Sequence, residues 1–139
     1  MQMSRLALVV FTFVAALFVG CSHPSVSLGD VTIGSVSYHV VAEGSNAAGS
    51  TSRYAVQPAA GTMGITMVQA WVGTDAAGTG ATRVTGVFDS IDGDYDVDVM
   101  IPNPIPSGAQ LWISVTRGES TDTGSIALPA ANYSATGTG

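Results

Sequence analysis

Residues 94–101 read Asp94-Tyr95-Asp96-Val97-Asp98-Val99-Met100-Ile101, and the alternation along them decides the fold class. Successive side chains of a strand point to opposite faces, so Tyr95, Val97, Val99 and Ile101 share one face while Asp94, Asp96, Asp98 and Met100 share the other. A helix would scatter both sets around its circumference. The stretch therefore predicts a half-buried strand. Just before it, Asp89-Ser90-Ile91-Asp92-Gly93 ends in an Asp-Gly pair that favours a tight hairpin turn, with Thr82 to Phe88 as the partner strand.

The same period recurs on both sides. Downstream, Pro102, Pro104 and Pro106 cannot donate to a ladder and carry the chain across in an extended loop; Ala109, Leu111, Ile113 and Val115 then alternate again, with Trp112 on the opposite face. Ser125 to Leu128 predicts a last short strand. Upstream, Met63 to Val72 is apolar on both faces, the pattern of a central strand covered on both sides; Thr66, Val68 and the flanking Gly61 and Gly73 favour strand over helix there. A short strand is expected near Tyr54 and Val56, after a small, polar loop over 44–52. Val36, Tyr38, Val40 and Ala42 alternate with Ser35, Ser37, His39 and Glu43, and Val26 to Ile33, broken by Gly29-Asp30, predicts a strand or hairpin before them.

Seven or eight short strands, punctuated by Gly, Pro and Asp-Gly and without a helix after the N-terminal segment, specify an all-β protein, an antiparallel β-sandwich over residues 26–129 with a loose tail over 130–139. The run from Gly86 to Val115 resembles the closing strands of bacterial immunoglobulin-like or fibronectin-like modules. There, a strand like Gly93-Asp94-Tyr95-Asp96-Val97 leads through a proline loop to one like Gly108-Ala109-Gln110-Leu111-Trp112. The resemblance implies an immunoglobulin-like architecture; the Cys and Trp spacing of a true immunoglobulin domain is absent, so nothing more is carried over. Gly44-Ser45-Asn46-Ala47-Ala48-Gly49-Ser50 and Gly73-Thr74-Asp75-Ala76-Ala77-Gly78-Thr79 are near-repeats, read as two similar loops in a chain rich in Ala, Gly and Thr.

The N-terminus carries a different signal. Arg5 precedes an apolar stretch from Leu6 to Val19, the small Gly20 follows, and then comes Cys21, the chain's one cysteine. Val19-Gly20-Cys21 resembles the lipobox of bacterial lipoproteins, although Phe18 stands where that pattern prefers leucine. The resemblance implies a signal peptide over 1–20, cleaved before Cys21, a diacylglyceryl group on the Cys21 sulfur and acylation of the new amino terminus. Residues 21–25 would then be the lipidated cysteine and a short tether. A transmembrane helix needs roughly 20 apolar residues, more than this run supplies before polar Ser22-His23-Pro24. Ser22 rather than aspartate after the cysteine implies the outer membrane in a cell with two.

Composition narrows the chemistry. With one cysteine there is no internal disulfide, zinc–thiolate site or iron–sulfur cluster, so stability rests on packing. Removing residues 1–20 leaves Arg53, Arg83 and Arg117 against ten carboxylates, and there is no lysine. Nucleic-acid binding needs clustered basic residues and is excluded. Anionic lipid repels such a surface, which leaves membrane attachment to lipid at Cys21.

Asp89, Asp92, Asp94, Asp96 and Asp98 form the one cluster that invites a ligand. Alternate strand residues share a face, and a hard cation such as calcium would relieve their repulsion. Counted from Asp92, however, Val97 and Asn103 stand where an EF-hand requires glycine and glutamate. The set is read as a turn plus a solvated face that guards a strand against aggregation, with Asp92, Asp94, Asp96 and Asp98 kept as metal candidates. No catalytic constellation stands out. There is no Gly-x-Ser-x-Gly elbow, and the histidines are His23 in the tether and His39, which reads as a partly exposed sheet residue. Met63, Met67 and Met100 read as core filler rather than copper ligands. Trp71 and Trp112 read as sandwich packing unless exposed as a carbohydrate platform. The expectation is a non-catalytic accessory or protein-interaction module in the bacterial envelope, without a cofactor and with an envelope protein as partner; a calcium- or carbohydrate-binding module, or an enzyme of another type, are the alternatives.

Overall fold

The computed structural model describes residues 25–129. The signal segment, Cys21 and the tail over 130–139 lie outside the described residues. Among the described residues nine strands follow in chain order: β1 Ser25–Ile33, β2 Val36–Glu43, β3 Thr51–Pro58, β4 Ile65–Gly73, β5 Val84–Thr85, β6 Val87–Asp89, β7 Asp94–Met100, β8 Gln110–Arg117 and β9 Ser120–Ala127. They form a five-stranded sheet, β1-β2-β3-β7-β6, and a four-stranded sheet, β5-β4-β8-β9. Every pairing is antiparallel. Among them, β2-β3-β7-β6 facing β5-β4-β8-β9 is the A-B-E-D over C′-C-F-G order of an immunoglobulin-like sandwich, with β1 added outside the A position.

The alternation seen in sequence is what builds the core. Tyr38, Val40 and Ala42 of β2, Tyr54 and Val56 of β3, and Val97 and Val99 of β7 face Val68, Ala70 and Val72 of β4 and Leu111, Ile113 and Val115 of β8, all buried in one cluster. The Tyr38 hydroxyl is buried there without a hydrogen-bond partner, and burial pushes its pKa up. Tyr54 instead donates its hydroxyl to Asn46 Oδ1 at 2.5 Å, and the buried Asn46 amide donates to the Pro129 carbonyl at 3.1 Å. This side chain joins the loop after β2 to the chain just beyond the last strand.

The strand expected over 82–88 divides at Gly86. Val84 and Thr85 pair with Ala70 and Gln69 in one sheet, while Val87 pairs with Asp96 in the other. The Gly86 amide still donates to the Val68 carbonyl at 2.7 Å, and a Cβ there would meet Val97 Cγ2 at 2.8 Å. A side chain would jam the crossing between sheets, which is why the division falls on glycine.

Other boundaries also differ from the expectations. Val26 to Ile33 is one strand, interrupted by a bulge between Ser27 and Gly29 rather than by a turn. The short strand near Tyr54 runs the full length from Thr51 to Pro58. The last strand begins at Ser120, well before Ser125, and pairs with β8 residue for residue through a two-residue Gly118-Glu119 turn with Gly118 at φ +59°. Its first half is Ser-Thr-Asp-Thr on an open edge, so it has no apolar alternation to read. The apolar run of β4 is covered on both faces only from Val68 onward; Met63 is 79% exposed, and Met67 and Met100 are also exposed, so the methionines are surface residues and not core filler.

Trp71 is fully buried, yet it lies outside the main core cluster. It projects from the outer face of β4, and the connection to β5 folds over it. Arg83 places its guanidinium carbon 4.1 Å from the ring centroid and donates to the Ala77 carbonyl at 2.8 Å. The indole N–H donates to the Asp75 carbonyl at 3.3 Å, and Asp75 Oδ1 accepts from the Thr79 amide at 2.9 Å. The bond from Thr79 holds the Asp75 carboxyl below the usual range. Trp112, paired opposite Trp71, donates its N–H to the Gly73 carbonyl at 3.0 Å. Truncating a large buried aromatic costs about 3–5 kcal/mol. Trp71→Ala is expected to fall in that range by urea denaturation, with circular dichroism of the parent showing β structure and little helix.

Candidate functional site

Among the described residues, three places gather chemistry-bearing side chains. The first is the β6–β7 hairpin. Asp89 Oδ1 accepts from the amides of Ile91 at 2.9 Å and Asp92 at 3.4 Å, and the Gly93 amide donates to the Asp89 carbonyl at 2.8 Å. A carboxylate bonding its own backbone two residues on is a turn device. The turn nonetheless brings one carboxylate oxygen each from Asp89, Asp92 and Asp94 within 4.8 Å of one another. Asp94 Oδ1 is buried without a hydrogen-bond partner. Burial pushes the Asp94 pKa up to about 6, helped by the negative charges of Asp96, Asp92, Asp89 and Glu43.

The five aspartates thus divide. Asp98 takes both contacts of Arg53, Nε to Oδ1 at 2.9 Å and an Nη to Oδ2 at 3.3 Å, which lowers its pKa and raises that of Arg53. Asp96, opposite Ala55, is raised by burial against the opposing pull of Arg53. Of the sequence candidates, the structure brings Asp92 and Asp94 together with Asp89 and leaves Asp96 and Asp98 in the Arg53 group. Calcium takes six to eight oxygens, and Asp89 already spends Oδ1 on the amides of the turn.

The second place is the outer face of β1 and β2. His39 Nδ1 lies 2.7 Å from Asp30 Oδ1, and its Nε2 lies 3.1 Å from Ser27 Oγ. His39 is therefore more than a sheet residue among serines. It stands between a carboxylate and a hydroxyl, an arrangement that Ser35, Ser37 and Glu43 do not supply. Ser27 and Asp30 are three apart and would face opposite sides of a regular strand. The bulge at Leu28 places two residues against one partner and restores both to the face of His39, with Gly29 at φ +109°. Sequence reasoning missed them because it counted by twos; Gly29 was the available signal, since an isolated glycine in a strand often marks a bulge. Asp30 and His39 also border a cleft of about 660 Å³ whose other walls include Gln57, Pro58, Phe88 and Tyr95.

The third is the tryptophan pair, which holds a loop. Trp71 is buried, and Trp112 is half-buried.

The chain matches no family model, no curated protein and no solved structure. The immunoglobulin-like strand order is thus a property of geometry, and the roles of residues follow from their surroundings alone.

Asp94 sets a pH signature. Its folded pKa lies above the unfolded carboxyl value, so its stabilising contribution is complete below about pH 4 and is lost as pH rises through about 6. Asp98 has the opposite sign, and its contribution is lost only as pH falls below the ordinary carboxyl range. Asp94→Asn is expected to raise the melting temperature at pH 7 by about 2 °C, a fraction of 1 kcal/mol in a domain this size, with the gap closing at pH 4. Thermal melts across that window check it.

Proposed function

We propose that this protein is a bacterial envelope lipoprotein, anchored by lipid on Cys21, whose β-sandwich serves as an accessory module that contacts another envelope protein. The observation that carries the anchor is the position of the sole cysteine: it closes the apolar N-terminal run, and strand β1 begins at Ser25, four residues later. A tether that short reaches roughly 14 Å at full stretch, so the domain works close to a membrane surface.

Contact chemistry is present at the β6 edge. Val87 is 73% exposed and Phe88 52%, on opposite faces of a strand with one open side, and Ile91 in the adjoining turn is 92% exposed; Asp96 pairs with Val87 across the hairpin. Open strand edges and exposed apolar clusters are what partners pair with. Ser22 favours the outer membrane. Cys21→Ser is expected to block processing, leaving a precursor of higher mass that no longer gains acyl chains. Membrane fractionation with intact-mass measurement checks it, and a mutant maturing to the parental mass would overturn the anchor. Pull-down with the lipidated protein identifies the partner.

A calcium-binding reading rests on the Asp89, Asp92 and Asp94 oxygens. Since Asp89 Oδ1 is engaged by the amides of Ile91 and Asp92 and the set reads as a solvated turn, millimolar calcium is expected to leave the melting temperature unchanged. A rise that Asp92→Asn abolishes would establish the second reading in place of the solvated turn.

A further inference from the structure

We propose that Ser27 is a nucleophile, activated by His39 and Asp30, that accepts acyl groups from uncharged carboxylic esters. This activity is additional to the accessory role and does not depend on the anchor.

Three observations carry it. The first is the order of contacts: carboxylate to Nδ1 at 2.7 Å, Nε2 to hydroxyl at 3.1 Å, each partner on its own ring nitrogen. A carboxylate only accepts, so in the neutral imidazole the Asp30 contact places the proton on Nδ1 and leaves Nε2 to accept the Ser27 hydroxyl proton. The second is access. Ser27 is exposed, and the His39 and Asp30 side chains are 43% and 66% exposed, so an ester can reach the hydroxyl without any movement of the chain. The third is the bulge. In a regular β1, Ser27 and Asp30, three apart, would lie on opposite faces; the unpaired residue at Leu28 brings both to the face of His39. Bulges commonly re-aim side chains at functional positions.

The chemistry balances with water as the only co-reactant. Ser27 Oγ attacks the ester carbonyl carbon while His39 Nε2 takes the hydroxyl proton, and the Asp30 carboxylate stabilises the imidazolium. The adduct collapses, the bond to the alcohol oxygen breaks, and the imidazolium returns the proton to that oxygen. Water, deprotonated by the same Nε2, then attacks the acyl carbon, the bond to Ser27 Oγ breaks, and the imidazolium returns its proton to Oγ as the acid leaves. The substrate class follows from charge: Asp30 and Glu43 lie on this face of a chain with ten acidic residues, which disfavours anionic esters. The open setting suits a compact ester: Asp30 and His39 border the neighbouring cleft, and Ser27 stands outside its lining.

The test treats the full chain with an alkyl fluorophosphonate and, separately, with p-nitrophenyl acetate, and locates adducts by peptide mass. The expected result is modification at Ser27, absent in Ser27→Ala and slowed about a hundredfold in His39→Ala, the lower range of general-base assistance. Asp30→Asn slows it less. Ser37→Ala, on the same face but outside the contact chain, leaves it unchanged. His39→Gln keeps a polar side chain but no base, and it shows the same loss of rate if His39→Ala disturbs the strand pair. No adduct at Ser27, or a Ser27 rate that His39→Gln leaves unchanged, overturns the proposal, whatever partner the domain binds.

Discussion

The domain rests on the packing of two inner rows of side chains, because nothing covalent can take their place. A chain with a single cysteine forms no internal disulfide, so no bridge joins the sheets. Within those rows Tyr38, Tyr54, Leu111 and Ile113 are the largest fully buried side chains, and valines such as Val40, Val56, Val97 and Val99 are buried with them. β-Branched side chains suit that task, since their restricted rotamers lose little freedom on a pleated surface. Polar links act at the ends of the sandwich. Asn46 satisfies Tyr54 and Pro129 at once, and the Arg53–Asp98 pair, half exposed, contributes no more than about 1 kcal/mol.

The sandwich was legible wherever burial is one-sided. Val97 and Val99, Val40 and Ala42, Leu111 and Ile113 each announce their strand, because a one-residue slip would expose the whole set. Legibility fails where the physics is not a two-residue period. Thr82 to Phe88 looks like one strand because nothing in the apolar pattern marks a change of sheet; only Gly86 does, through the contact its missing side chain avoids. The polar half of β9 and the exposed methionines fail for a shared reason. An edge or a strand end meets solvent, and composition there no longer follows the core.

The candidate sites show the same limit more sharply. The aspartates were visible in sequence as a cluster, but which of them converge depends on a turn, and Arg53 removes Asp98 from the group through a cross-strand pairing that residue spacing does not encode. Ser27, Asp30 and His39 were individually visible and collectively hidden. Their meeting needs both the β1–β2 register and the inserted residue, and register is a long-range property that forms only when the sheet forms.

Trp71 has a further consequence. Its ring is sealed from water by the ten-residue connection between β4 and β5 and lies against a guanidinium, while its backbone belongs to a central strand. Opening the connection would expose the indole and withdraw Arg83 from it while leaving the valine core shut. The indole is therefore placed to serve as a built-in optical reporter. Its emission would register the loosening of one loop at a lower free-energy cost than global unfolding, and the two events would separate in a single experiment.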